Sequence, residues 1–210
     1  GGTGTFTVLS GFKKLPKHKV ALSAIVPASD SGGSTGRLRD EFGFLPVGDV
    51  RMALVALAEE GNGENILRDL FLHRFDKGKE LNGHNVGNLL LVALTEMFGS
   101  EEQAIEVASK VLRVCGQVIP VCRHELTLVA HYENGSVVKG EKYIDEPKGN
   151  HDGTVRIKQL LVEGESEAVP KAKESIENAD MIVFGPGDLY TSILANVVVR
   201  GIPRVLQNTK

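Results

Sequence analysis

A chain of 210 residues, 41% hydrophobic and 24% charged, has the composition of a globular protein and the length of one large α/β domain. Its net charge of −3 gives no electrostatic reason to expect nucleic-acid binding, and no apolar run reaches the roughly 20 residues of a membrane-spanning helix. Cys115 and Cys122 are too few for a disulfide framework and lack metal-ligand spacing, so they read as small buried residues in a reducing cytoplasm.

In chain order, Gly1-Gly2-Thr3-Gly4 reads as a loop that follows a strand, and residues 6–15 as a first helix that Pro16 helps to end. Residues 205–210 close without a stop signal, so the expectation is a single domain, 1–210, cut at both ends. Residues 20–26 form an apolar, β-branched strand that runs into the glycine-rich stretch 29–37. Asp49 is the expected N-cap of a helix reaching about residue 60. Helices are also expected over 64–73, over 85–98, and from Ser100 to 114, the last with acids at its positive end.

The texture changes near residue 117. Strands are expected over 117–121 and 125–132, with a type I′ hairpin at Asn134-Gly135 that returns through 136–140. Residues 142–154 read as a loop and 155–162 as a further strand. A helix over 169–178 precedes a buried strand over 180–184, which ends in Gly185-Pro186-Gly187-Asp188 before a new helix. The fold class is therefore α/β, a Rossmann-like and mainly parallel sheet flanked by helices, with a β-rich insertion over about 117–162.

Four small-residue loops carry the candidate chemistry, and topology directs them to the carboxyl edge of one sheet. Gly1, Gly2, Thr3 and Gly4 can hold a pyrophosphate at a helix N-terminus. Asp30, Ser31, Gly32, Gly33, Ser34 and Gly36 offer close backbone approach and hydroxyls, and Arg37 a forked cation for phosphate. Asp30 and Asp49 can bind a divalent cation or a sugar hydroxyl, or else stabilise their own turn and helix. Arg51 can clamp phosphate, and His84 and Asn88 can reach a ligand or cap a helix. Gly185, Gly187, Tyr190 and Thr191 form the last loop, where a ring can stack on a base and a hydroxyl can meet phosphate. There is no G-x-x-x-x-G-K-[ST] and no G-x-G-x-x-G, which argues against a P-loop ATPase and an ordinary NAD-dependent dehydrogenase.

Together the motifs resemble the gluconeogenesis-factor family within the 2-phospho-L-lactate transferase (CofD-like) superfamily. The resemblance rests on Gly-Gly-Thr-Gly at 1–4, Asp30-x-Gly-Gly-Ser-x-Gly-Arg-Leu-Arg39, Gly48-Asp49-x-Arg51, Gly83-His84-x-x-Gly87-Asn88 and Gly185-Pro-Gly-x-Leu-Tyr-Thr-Ser192. Three departures stand out: one aspartate, Asp30, where the family has two, Asp188 where it has serine, and Ala195 where it has proline. The resemblance implies a nucleotide-binding Rossmann-like fold. In the gluconeogenesis-factor branch it implies a UDP-sugar binding protein tied to carbon metabolism, cell shape and cell-wall synthesis, without established catalysis. In the transferase branch it implies magnesium-dependent transfer of a phospholactyl-type group from a guanosine diphosphate carrier to a deazaflavin precursor. The expected partners are a small nucleotide ligand (UDP-sugar, alternatively GDP or NAD) and a second copy of the chain, and the only expected metal is magnesium. The single aspartate puts that metal in question, which favours the binding protein over the transferase.

Overall fold

Alternation along two short parallel strands sets the architecture. The computed structural model describes residues 2–16, 18–59, 66–147, 149 and 151–209. In chain order its elements are α1 (Gly2–Phe12), β1 (Ser23–Val26), α2 (Gly33–Phe42), α3 (Val47–Leu57), α4 (Ile66–Leu72), α5 (Val86–Phe98) and α6 (Glu101–Val111). There follow β2 (Gln117–Pro120), β3 (Thr127–Tyr132), β4 (Val137–Lys139), α7 (Glu141–Asp145), β5 (Ile157–Glu163) and α8 (Pro170–Glu177). A π-helical turn (Leu189–Ile193), α9 (Leu194–Val197) and α10 (Ile202–Asn208) complete the chain.

β1 pairs in parallel with β2, Ser23 opposite Gln117 and Val26 opposite Pro120. Ala24, Val26 and Val118 enter one core, while Ile25 and Ile119 enter a second on the opposite face, as a period of two requires. The first core is built around α3, whose Ala53, Leu54, Val55, Ala56 and Leu57 are fully buried. A helix apolar on every side belongs in an interior, and α1, α5 and α6 pack around it. Each such leucine contributes roughly 1.5–3 kcal/mol by burial. The second core sets Ala172 and Ile176 of α8 and Ile202 and Val205 of α10 against Ile119 and Val121.

β3 is the centre of a separate antiparallel sheet, with β4 on one side and β5 on the other. Its inner residues Leu128, Ala130 and Tyr132 pack with Val138, Ile144 and Ala195, so α7 and α9 join this sheet to the rest of the molecule.

Several expected elements are corrected. Residues 180–184 do not form a buried strand: Met181, Val183 and Phe184 are exposed. Among the described residues no strand runs beside them, and a strand needs a ladder partner for its amides. Asp49 is not the N-cap of α3, because the helix begins two residues earlier, after Pro46. The glycine-rich stretch is half helical, since α2 starts at Gly33. The expected loop over 142–154 contains most of α7. The hairpin is not type I′: Gly135 alone takes a positive φ, +84°, and closes a three-residue loop in which its N–H donates to the Tyr132 carbonyl. Cys115 is only half-buried, whereas Cys122 is buried.

Candidate functional site

At the carboxyl end of β1 lies a cavity of about 320 Å³. Its lining comes from Thr3 and Gly4 at the start of α1, Pro27 and Asp30 after β1, and Asp49 of α3. Gly187, Asp188, Thr191 and Ser192 of the last turn and Glu141 of α7 complete it. Three of the four expected loops therefore meet here. The fourth, around Gly83–Asn88, does not line the cavity.

Close backbone approach shapes this lining. A Cβ on Gly4 would collide with the Pro186 carbonyl, so only glycine lets α1 begin against the 185–188 turn. A Cβ on Gly48 would meet Thr35 Oγ1 and lie 2.7 Å from Asp30 Oδ2. That gap lets the Asp30 carboxylate sit against the first turn of α3. The other oxygen, Oδ1, accepts the Gly32 N–H at 2.9 Å, a local Asx turn that fixes its orientation.

Glu141 was not legible as a site residue, yet it is central to the geometry. Its Oε2 faces the Ser31 N–H at 3.4 Å and the Ser31 hydroxyl at 3.5 Å. Burial, reinforced by Asp30, pushes its carboxyl up to about 7. Four residues on, burial and then Asp188 raise the Asp145 carboxyl above its ordinary value, and the nearby Thr191 hydroxyl opposes the shift. The four-residue spacing of Glu141 and Asp145 after Gly140 is the sequence signal for this pair, because it places both acids on one helical face. Pro27, Asp188 and Ser192 were also missed; the latter two adjoin expected loop residues.

Behind the cavity, expected ligand residues bond to one another. Ser34 Oγ accepts from Asn85 N and Asn88 Nδ2, each at 3.3 Å, and lies 3.2 Å from His84 Nδ1. With both lone pairs engaged, the Ser34 hydroxyl hydrogen points at Nδ1, which assigns a neutral His84 protonated on Nε2. Burial and then Arg37 lower the His84 pKa, in agreement with that form. Arg51 Nε donates to Asn88 Oδ1 at 2.8 Å, and its Nη1 lies 3.4 Å from the Phe71 carbonyl oxygen. Burial, aided by Arg74, brings the Arg51 guanidinium down to about 10. Asn85 caps α5 by accepting the Asn88 N–H. This buried network fastens α2, α3 and α5 together.

Of the expected residues, Thr3, Gly4, Asp30, Asp49, Gly187 and Thr191 line the cavity. Ser31 stands beside it through Glu141, whereas Ser34, Arg51, His84 and Asn88 belong to the network behind. Arg37 is exposed and donates to the Asn82 carbonyl at 3.1 Å, away from the cavity lining. Gly2 opens α1, and Gly32, Gly33 and Gly36 shape the entry into α2. Gly185 and Tyr190 belong to the last turn but do not line the cavity. Gly1 lies outside the described residues. As for magnesium, no three His, Cys, Asp or Glu side chains among the described residues are grouped to hold a metal ion. Of the Asp30 oxygens, Oδ1 accepts from the Gly32 N–H and Oδ2 faces Gly48 in the first turn of α3.

Fold and site define an α/β protein with a ligand-sized cavity at the end of a parallel strand, walled by a helix N-terminus and two glycine-containing turns. The family model described as 2-phospho-L-lactate transferase CofD matches residues 1–210, and this chain belongs to that family. It is 42% identical over 210 residues to the gluconeogenesis factor of Halalkalibacterium halodurans, covering 100% of this chain and 62% of that protein. To the gluconeogenesis factor of Bacillus subtilis it is 44% identical over 200 residues, covering 95% of this chain and 59% of that one. A crystal structure from Bacillus halodurans superposes with a TM-score of 0.90 at 41% identity, covering 100% of this chain and 64% of the other. A second, described as a member of the UPF0052 family, gives 0.89 at 40% identity. The chain thus spans less than two thirds of the length of these relatives. No helix among the described residues is long and apolar enough to cross a membrane.

Proposed function

We propose that this chain binds a nucleotide sugar of the UDP-N-acetylglucosamine type in the cavity beside Asp30, without turning it over. The role is that of a gluconeogenesis factor, linked to carbon metabolism, cell shape and cell-wall synthesis. The observation that carries the reading is the division of labour in the cavity walls. The start of α1 at Thr3 and Gly4 supplies amide donors suited to a diphosphate. Asp30, Asp49 and Asp188 supply acceptors suited to ribose and sugar hydroxyls. The volume of about 320 Å³ falls at the small end of ligand cavities. Among the described residues the lining contains no histidine, lysine or cysteine, so it offers no imidazole, amine or thiol for group transfer. The names of the relatives add weight to the same role.

Calorimetric titration with UDP-N-acetylglucosamine and with GDP, each with and without magnesium, tests the reading. Micromolar, metal-independent binding of the UDP-sugar with no product on chromatography is the expected result. Preference for GDP with a magnesium requirement overturns it in favour of the second reading, a 2-phospho-L-lactate transferase-like enzyme. That reading draws on Glu141, whose carboxyl near 7 is suited to general acid–base work.

A further inference from the structure

Glu141 reaches from α7 to the Ser31 loop beside the cavity. Its Oε2 lies 3.4 Å from the Ser31 N–H and 3.5 Å from the Ser31 hydroxyl, both donors on the loop that walls the cavity. The same hydroxyl oxygen accepts the Lys142 N–H at 3.1 Å. At the other end of α7, Asp145 stands near the Thr191 hydroxyl, on the turn that also lines the cavity. α7 packs on β3 and β4 and on the turn that carries Thr191. A five-residue helix thus lies against the antiparallel sheet, the Ser31 loop and the turn that carries Thr191.

We propose that Glu141 is an internal competitor, a carboxylate that occupies the Ser31 anion donors and yields them to the phosphate group of an incoming ligand, releasing α7. Two features of the contact support displacement. Its distances are long for hydrogen bonds to a charged oxygen, which ordinarily fall near 2.7–2.9 Å, so little is lost when it breaks. Among the described residues the charged groups that face Glu141 are also all acids: Asp30 from the loop, Asp49 from α3 and Asp145 from α7 itself. Asp188 lines the same cavity beyond Asp145. Among the described residues no basic partner holds the carboxylate in place, and a phosphate seated on Ser31 escapes its repulsion when it departs. The competitor selects for ligands that bring a phosphate and also hold enough other contacts to displace it. The inference deepens the reading of the cavity as a phosphate-ester site and does not depend on which nucleoside or sugar is attached.

The test titrates inorganic pyrophosphate against the wild-type chain, Glu141→Gln, Ser31→Ala and the double variant at pH 8, where the wild-type carboxyl is ionised. Glutamine matches glutamate in size, and circular dichroism with thermal melting verifies the fold of each variant. The expected result is about 10-fold tighter pyrophosphate binding by Glu141→Gln, because the variant removes the negative charge beside the Ser31 donors. The gain shrinks when Ser31→Ala is also present, because the hydroxyl donor is gone and only the backbone N–H remains. In the wild-type chain, pyrophosphate speeds amide exchange at Lys142, reporting release of α7. Equal or weaker binding by Glu141→Gln, unchanged Lys142 exchange, or no pyrophosphate binding by any form overturns the proposal. Parallel titration with UDP-N-acetylglucosamine separates the two ideas. If the pyrophosphate gain occurs without UDP-sugar binding, the nucleotide-sugar reading falls and the competitor stands. UDP-sugar binding that is indifferent to Glu141→Gln does the reverse.

Discussion

Glu141→Gln removes the charge of a carboxyl that burial, and then Asp30, raise from 4.5 to about 7. In the unfolded chain the same group ionises near its ordinary value, so between these pH limits the folded state binds more protons than the unfolded state. The associated stability is fully present below about pH 4.5 and is lost as pH rises through about 7. At about 1.4 kcal/mol per pKa unit, the unscreened effect is about 3 kcal/mol. The carboxyl keeps a side open to solvent, and screening reduces this to about 1–2 kcal/mol. Glutamine has the shape of the protonated acid and no titration. The variant is therefore expected to match wild type near pH 5 and to exceed it by about 1–2 kcal/mol at pH 8. Urea unfolding of both proteins at half-unit steps from pH 5 to 8.5 measures the difference directly. A difference that is flat across this range, or that favours wild type at pH 8, refutes the placement of Glu141 among acids.

Gly48→Ala brings a methyl 2.7 Å from Asp30 Oδ2 and against Thr35 Oγ1, an overpacking expected to cost about 1–3 kcal/mol in urea unfolding; an unchanged midpoint would show that α3 starts with room to spare. Arg51→Ala leaves Asn88 Oδ1 and the Phe71 carbonyl without their buried donor, at about 2–3 kcal/mol. Arg37→Ala, at an exposed side chain, is expected to cost about 0.5 kcal/mol or less, and equal losses in the two arginine variants would contradict the division between network and surface. With iodoacetamide at pH 8, half-buried Cys115 is expected to alkylate. Cys122, whose thiol burial pushes up to about 11, stays unmodified until the chain unfolds, as peptide mass spectrometry reads out.

What the sequence made legible was local. The apolar run of α3, the caps at Asn85 and Ser100, and the Asn134-Gly135 turn each announce themselves through a few neighbouring residues. The loops carrying Thr3, Asp30 and Thr191 were legible too, because glycine clusters mark the places where the backbone can approach a ligand closely. The failures came where a residue's role depends on a distant partner. Residues 180–184 have the composition of a strand, but strand formation requires a neighbour, and composition carries no information about one. Arg51, His84 and Asn88 have the chemistry of ligand contacts. Only the packing of α2 against α3 and α5 reveals that their donors and acceptors are already matched to Ser34, Phe71 and one another. Glu141 fails in the opposite direction: it sits in a polar stretch read as loop, 110 residues from Ser31. It becomes a site residue because the antiparallel sheet delivers α7 to the cavity. Both errors have one cause. A buried polar side chain is defined by whether its hydrogen-bonding capacity is met, and in this protein the partners that meet it, or leave it open to a ligand, come from other elements of the fold.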